Sequence, residues 1–240
     1  MVVGWISPLL VNGNTKLGKG VWTWSTLAGD KEAAYKIAED LPPVTIRATC
    51  VCNCKGCYAQ SGCFNFPSTK LSLAIKTFIA RAQLDFMRRA IIAQIKADGI
   101  RLCRIHASGD FFGDAYVDAW RQIVTACTEC VFWTYTKNEK AENAFNDLRN
   151  INVVKSCIPG FGFNFGHCDY ILAVYKALLD LGKDVYICRC GIDKNQHCVN
   201  CKGCSKNEYV LFIEHSTAYV AEDDTLFSAV VDIVNAQPKP

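Results

Sequence analysis

Apolar positions recur along the chain with two periods, and the switches between them mark out strands and helices. Trp22 and Trp24 alternate like one face of a strand, and Val44–Thr49 is a second short β-rich run. Leu71, Ile75, Phe78, Ala82, Phe86 and Ile92 fall near helical spacing. They predict one long helix or two consecutive ones over 69–97, ended by Asp98-Gly99. Arg101–Ala107 alternates as a strand, and Asp114–Cys127 returns to helical spacing, with Tyr116, Val117, Trp120, Ile123 and Val124 on one face. The alternation continues with strand Val131–Thr136, helix Glu139–Leu148, strand Ile151–Ser156, helix Asp169–Leu181 and strand Asp184–Cys188. Strands alternating with helices imply a parallel sheet. Five such units suit an open or partial β/α barrel better than a closed one, which takes about 250 residues and eight units.

Composition alters this picture at one residue type. The chain of 240 residues is 50% hydrophobic and 20% charged with a net charge of +3, which describes a globular protein and not a disordered one. No apolar run reaches the roughly 18 residues of a membrane span. The opening MVVGWISPLLVNGNTK lacks the charged-then-apolar layout of a signal peptide, so a cytoplasmic location is expected. The chain has 15 cysteines, an odd number without an export signal. In a reducing compartment clustered cysteines hold metal more often than each other. Five fall between Cys50 and Cys63 and five between Cys188 and Cys204. Of the scattered ones, Cys103, Cys127 and Cys157 read as small buried hydrophobes.

The first cluster, TCVCNCKGCYAQ, spaces Cys50, Cys54 and Cys57 as C-x3-C-x2-C, with Cys52 interleaved. Three thiolates on a loop after a strand can hold three irons of a cubane and leave the fourth for a small ligand. Zinc is the competing tenant, with Cys52 or Cys63 as fourth ligand. Ser108-Gly109-Asp110 follows a strand directly and so faces the same mouth as that loop. It offers a flexible glycine and a carboxylate. Equally, it is an ordinary turn in which Ser108 or Asp110 caps the next helix. His106 reads as a packed histidine near that mouth. Phe161, Phe163 and Phe165 either line an adenine pocket or form a buried aromatic loop.

The C-x3-C-x2-C loop resembles that of the radical S-adenosylmethionine superfamily, although Gly56 stands where an aromatic usually precedes the third cysteine, and Tyr58 follows. That resemblance implies a 4Fe-4S cluster on Cys50, Cys54 and Cys57 whose open iron is chelated by S-adenosylmethionine. Ser108, Gly109 and Asp110 would then bind the cosubstrate's amino group. NTKLGKGVWTWSTLAGD, the first cysteine loop, RIHASGDFFGDAYVDAW and the late C-x2-C-x2-C together resemble the phage gene-product-88 family over roughly 12–215. This resemblance implies a bacteriophage source and work in the host cytoplasm.

The second cluster, CRCGIDKNQHCVNCKGC, supplies Cys190, Cys198, Cys201 and Cys204, enough for a closed cubane or a four-cysteine zinc site, with Cys188 in reserve. His197 could replace one cysteine. The expectation is therefore an α/β fold, a partial parallel (β/α) barrel of radical-S-adenosylmethionine-like type over 1–187. A cysteine-rich C-terminal segment, 188–240, packs on the same domain. The leading function is an iron–sulfur protein of that type, taking a small-molecule cosubstrate and an electron donor. The alternatives are a non-enzymatic electron or sulfur carrier, and a zinc-stabilised protein that recruits a host partner. Lys16, Lys19, Trp22 and Trp24 are too few for a nucleic-acid platform. No phosphate loop, Gly-x-Ser-x-Gly elbow or paired helix carboxylates support a kinase or hydrolase.

Overall fold

The structure, a computed structural model, describes residues 8–13, 17–50, 54, 57–60, 62–158, 160–189, 192–193, 196–201, 203–213 and 224–237. Strands β1 (Val11–Asn12) and β2 (Val21–Trp24) are followed by a separate antiparallel hairpin, β3 (Glu32–Tyr35) and β4 (Val44–Arg47). Helices α1 (Pro67–Ala82) and α2 (Leu84–Ala97) come next, then β5 (Leu102–Ile105), α3 (Asp114–Ala126), β6 (Val131–Thr136), α4 (Glu139–Ala144) and β7 (Ile151–Lys155). The main sheet has the order β1-β2-β5-β6-β7; β1 is antiparallel to β2, and the other four strands are parallel. The run Val44–Thr49 thus leads into the first cysteines from the hairpin and not from the parallel sheet, whose first strand is β2.

Local chemistry explains the helix ends. Pro67 opens α1, where a missing N–H costs nothing. The 69–97 pattern resolves into two helices because Gln83 leaves helical dihedrals (φ −139°, ψ 50°). At the end of α2, Gly99 takes a left-handed φ of 60° and Ile100 N–H reaches back to Ile95 O, as Asp98-Gly99 leads one to expect. Asn138 caps α4 by accepting from the N–H groups of Lys140 and Ala141.

Alternation gives the sheet two buried faces. Trp24, Cys103, Ile105 and Phe132 pack against Met87, Ile91, Trp120 and Ile123 of the helical layer. On the other face Val21, Trp133 and Val154 meet Cys188, Cys201, Cys204 and Val210 of the cysteine-rich segment. Beyond β7 lie a small hairpin, β8 (Cys157–Ile158) with β9 (Gly162–Phe163), then β10 (Phe165–Gly166), α5 (Cys168–Asp180), β11 (Val185–Ile187), the single turn α6 (Cys198–Cys201), β12 (Tyr209–Ile213) and α7 (Asp224–Ala236). A second, all-parallel sheet runs β10-β12-β11 and draws strands from both sides of residue 187. Asn164 joins the sheets: its N–H donates to Ser156 O, its side-chain amide donates to Val210 O, and its own carbonyl accepts from Phe212 N–H.

One buried group sits at odds with its surroundings. Lys76 of α1 is 6% exposed, with its ammonium 5.9 Å from the centre of the Trp24 ring. Burial lowers its pKa from 10.5 to about 8. Between those values the unfolded chain holds more protons than the folded one, so this group's contribution to stability rises with pH from about 8 to 10.5. Replacing Lys76 with Met should therefore raise stability at pH 7 by on the order of 2 kcal/mol. The difference between variant and parent in denaturant unfolding should shrink as pH approaches 10.5. A constant difference across that range would show that Lys76 does not titrate as described.

Candidate functional site at the carboxyl ends of the parallel strands

Past Trp24 and Ile105 the pairing of β2 with β5 continues with a dislocation at His106, which adopts φ 59°. After it, Ala107 N–H donates to Trp24 O and Thr26 N–H to Ser108 O, while Ser108 Oγ–H donates to Thr26 O. The His106 ring turns into the helical layer. Its edge meets Phe111 at 4.6 Å, and Nε2 lies 2.9 Å from the Tyr116 hydroxyl, which accepts from Trp24 Nε1–H. Burial, with help from Arg104, lowers the His106 pKa from 6.5 to about 3, so the ring is a neutral core group.

Gly109 follows with φ 84°, and a Cβ there would lie 2.0 Å from Thr26 Oγ1 and 2.6 Å from Thr49 Oγ1. Only glycine fits this approach. The two threonine hydroxyls are 2.9 Å apart; Thr49 Oγ1 donates to Leu27 O and accepts from Asp110 N–H. Asp110, 5% exposed, latches the neighbouring strand. Its Oδ1 accepts from Thr136 Oγ1–H at 2.6 Å and from Phe111 N–H, and its Oδ2 accepts from Lys137 N–H at 3.0 Å. Burial raises its pKa, and those three donors oppose the rise. Neither Ser108 nor Asp110 caps α3, whose N-cap is Gly113 without a side-chain bond.

The same threonine shelf brings in the first cysteines. Residues 27–31 run beside 48–50 through Ala48 N–H to Lys31 O, Thr49 N–H to Leu27 O and Cys50 N–H to Gly29 O. Gly29 N–H returns a bond to Cys50 Sγ at 3.2 Å. Cys50, Cys54 and Cys57 are all half-buried. Burial pushes the Cys50 thiol up to about 11; the Gly29 N–H opposes this, and Asp110, Cys57 and Cys54 add to it. Cys54, Cys57 and Asp110 thus lie near enough to Cys50 to act on its thiol through their charge. Cys52 lies outside the described residues.

Sequence reasoning missed a fourth thiol. Cys157, expected to be a buried hydrophobe, is exposed, because it opens β8 with one residue between it and the end of β7, at the carboxyl end of the sheet. Its thiol is raised by burial, lowered by Lys137, and raised by Cys54, Glu142 and Asp110. Its position after the run Ile151–Ser156 was the available signal. Cys103 and Cys127 are buried as expected. Across the β8–β9 hairpin Cys157 pairs with Phe163, which stacks on Phe165 at 5.7 Å and carries the Lys137 ammonium 5.3 Å from its ring centre. These aromatics are half-exposed, and Phe161 is 38% exposed, so the loop is not a buried one.

Of the second cluster, Cys198, Cys201 and Cys204 gather with Cys188, while Cys190 lies outside the described residues. Among the described residues no three His, Cys, Asp or Glu side chains stand at the separations of a finished metal site. The donor chemistry nonetheless suits a thiophilic metal: half-buried sulfurs, an N–H directed at one of them, and on Cys50 a proton held by burial that a metal would displace.

The family model described as Gene product 88 matches residues 8–157, well over half of the chain. The chain belongs to the gene product 88 family. The family span takes in the first cysteine loop, Ser108–Asp110 and Cys157, but not the late cysteines that the resemblance over 12–215 included. The Gene 88 protein of Mycobacterium phage D29 is 28% identical over 113 residues, covering 42% of this chain and 45% of that protein. The match thus spans less than half the length of that relative. Gene product 88 is in this way tied to bacteriophage. No solved structure matches. Among the described residues no helix is long and apolar enough to cross a membrane.

The Gly109 approach carries the shelf. Gly109→Ala should destabilise the protein by about 2–4 kcal/mol in chemical denaturation. Thr49→Val, which strips the Asp110 N–H of its partner, should cost about 1–3 kcal/mol. A Gly109→Ala variant as stable as the parent would show that the shelf does not hold the turn.

Proposed function

We propose that this gene product 88 protein is an iron–sulfur protein of radical-S-adenosylmethionine-like type. Cys50, Cys54 and Cys57 would be ligands of a 4Fe-4S cluster at the mouth of an open parallel β/α half-barrel. The observation that carries the reading is the gathering of three half-buried thiols beside the Ser108–Asp110 turn, at the carboxyl ends of parallel strands, where α/β folds bind ligands. A cluster bound there supplies one-electron chemistry. The protein's part is placement and the exclusion of water. Gly29 N–H on Cys50 Sγ fixes that sulfur and tempers its charge. Ser108–Asp110 offers backbone carbonyls and a carboxylate to the amino group of S-adenosylmethionine. The half-exposed Phe163–Phe165 stack beside Lys137 offers a face and a cation to its adenine and carboxylate. The site of action would be the cytoplasm of the phage's host.

A second reading, a cluster carrier without cosubstrate, draws on Asp110. Both its oxygens already accept from Thr136, Phe111 and Lys137, which leaves less for an incoming ammonium. The third, a zinc-stabilised protein that recruits a host partner, draws on the same thiols.

Protein purified without oxygen should contain iron and sulfide, and Cys54→Ala should lose most of both from this centre. Electron paramagnetic resonance of the reduced protein should change on adding S-adenosylmethionine. An unchanged signal would select the carrier. Zinc in place of iron, or Cys54→Ala with the parent's iron, would overturn the assignment.

A further inference from the structure

A small cavity lies between the second face of the main sheet and the cysteine-rich segment. Leu102 and Trp133 form its sheet side, and Cys188, Cys198, Cys201 and Cys204, with Gly203 and Ser205, form the rest. Its volume is about 10 Å³, the room of one water or one ion. Cys188 arrives at the end of β11, Cys198 and Cys201 project from the single turn α6, and Cys204 sits on the next short turn, Gly203–Ser205. Three of the four sulfurs already have hydrogen-bond partners at the cavity. Cys188 and Cys204 hydrogen-bond each other, Cys204 also meets the buried Tyr135 hydroxyl, and Cys201 Sγ lies 3.2 Å from the Tyr186 hydroxyl.

The surroundings are built to hold this group. The Tyr186 ring reaches Cys201 by lying against the backbone of Gly203, where a Cβ would come within 2.4 Å of it. Asn152 of β7 donates its side-chain amide to the carbonyls of Cys204 and Asn207. The half-buried Arg104 guanidinium lies 4.9 Å from the centre of the Tyr135 ring, whose hydroxyl meets Cys204. His197 is not among the residues lining the cavity, and its ring packs toward Gly18.

We propose that Cys188, Cys198, Cys201 and Cys204 form a four-thiolate site for a single tetrahedral divalent cation of the zinc type, with Cys188 in the place that spacing alone assigns to Cys190. Binding exchanges four S–H protons for one M²⁺ and leaves a site of charge 2−, which Arg104 partly offsets. The tyrosine hydroxyls remain as donors to Cys201 and Cys204. The thiols do not stand at metal-site separations without the ion; binding draws them in as their protons leave. The inference rests on the thiolate-metal reading of the protein, but not on iron at the first centre.

The test is cobalt(II) titration of the full-length, metal-stripped protein, read by its visible d–d and sulfur-to-cobalt charge-transfer bands, with zinc content of the untreated protein alongside. The parent should bind one cobalt with the intensity of four thiolates and lose that spectrum to zinc. Cys188→Ser should weaken apparent affinity at least tenfold and lower the charge-transfer intensity, and Cys190→Ser should match the parent. Cys188→Asp, which keeps a ligand oxygen, should bind cobalt with a shifted spectrum, so a loss in Cys188→Ser cannot be misfolding alone. Loss of the spectrum in Cys190→Ser with its retention in Cys188→Ser would overturn the proposal. So would a parent without a four-thiolate spectrum, or iron and sulfide lost on Cys201→Ser. Loss of iron in Cys54→Ala is scored separately, so either centre can fail without the other.

Discussion

The contact on which the mouth of this protein depends is the passage of the Gly109 backbone over two threonine hydroxyls. Thr26 extends β2, Thr49 precedes the first cysteine, and Gly109 follows β5, so three segments distant in sequence meet at a point with no room for a methyl group. From that point Asp110 reaches Thr136 and Lys137 at the end of β6, and Ser156 N–H continues the chain of bonds from β7 to Thr136 O. Four parallel strands thus end in one hydrogen-bonded rim. The cysteine loop, the Ser108–Asp110 turn and Cys157 inherit their positions from it.

Much of this was legible in the sequence, for identifiable reasons. The helix stop at Asp98-Gly99, the amphipathic helix over Asp114–Cys127 and the strands around 101–107, 131–136 and 151–156 rest on short-range chemistry. What the sequence hid rests on long-range partners. Val44–Thr49 has the composition of a sheet strand, but its pairing partner is Glu32–Tyr35, whose alanines carry no β-strand signal. Cys157 has apolar neighbours and reads as core, yet the strand it follows ends at the rim, and position overrides composition. Spacing marked both cysteine groups, but it could not say that Cys188 shares a cavity with three later cysteines, since that follows from the pairing of β11 with β12.

Membership of the gene product 88 family covers the part of the chain that builds the rim and stops where the second sheet begins. The second sheet, with α5 and α7, has its own core around Ile171, Val174, Leu211 and Val230. It is attached to the family-defining part by an apolar layer, where Val21, Trp133 and Val154 meet Tyr186 and Val210, and by two amides: Asn164 bridges Ser156, Val210 and Phe212, and Asn152 holds the turn that bears Cys204.

Strand β7 occupies a singular place in this arrangement. Asn152, its second residue, grips the turn beneath Cys204, and Cys157 stands just past its last residue. Five residues of extended chain span about 16 Å. A strand hydrogen-bonded to β6 along its length behaves as a stiff rod and not as a tether. The two sulfur groups are therefore held at a fixed separation by one strand, with the β6–β7 ladder as the frame that sets it.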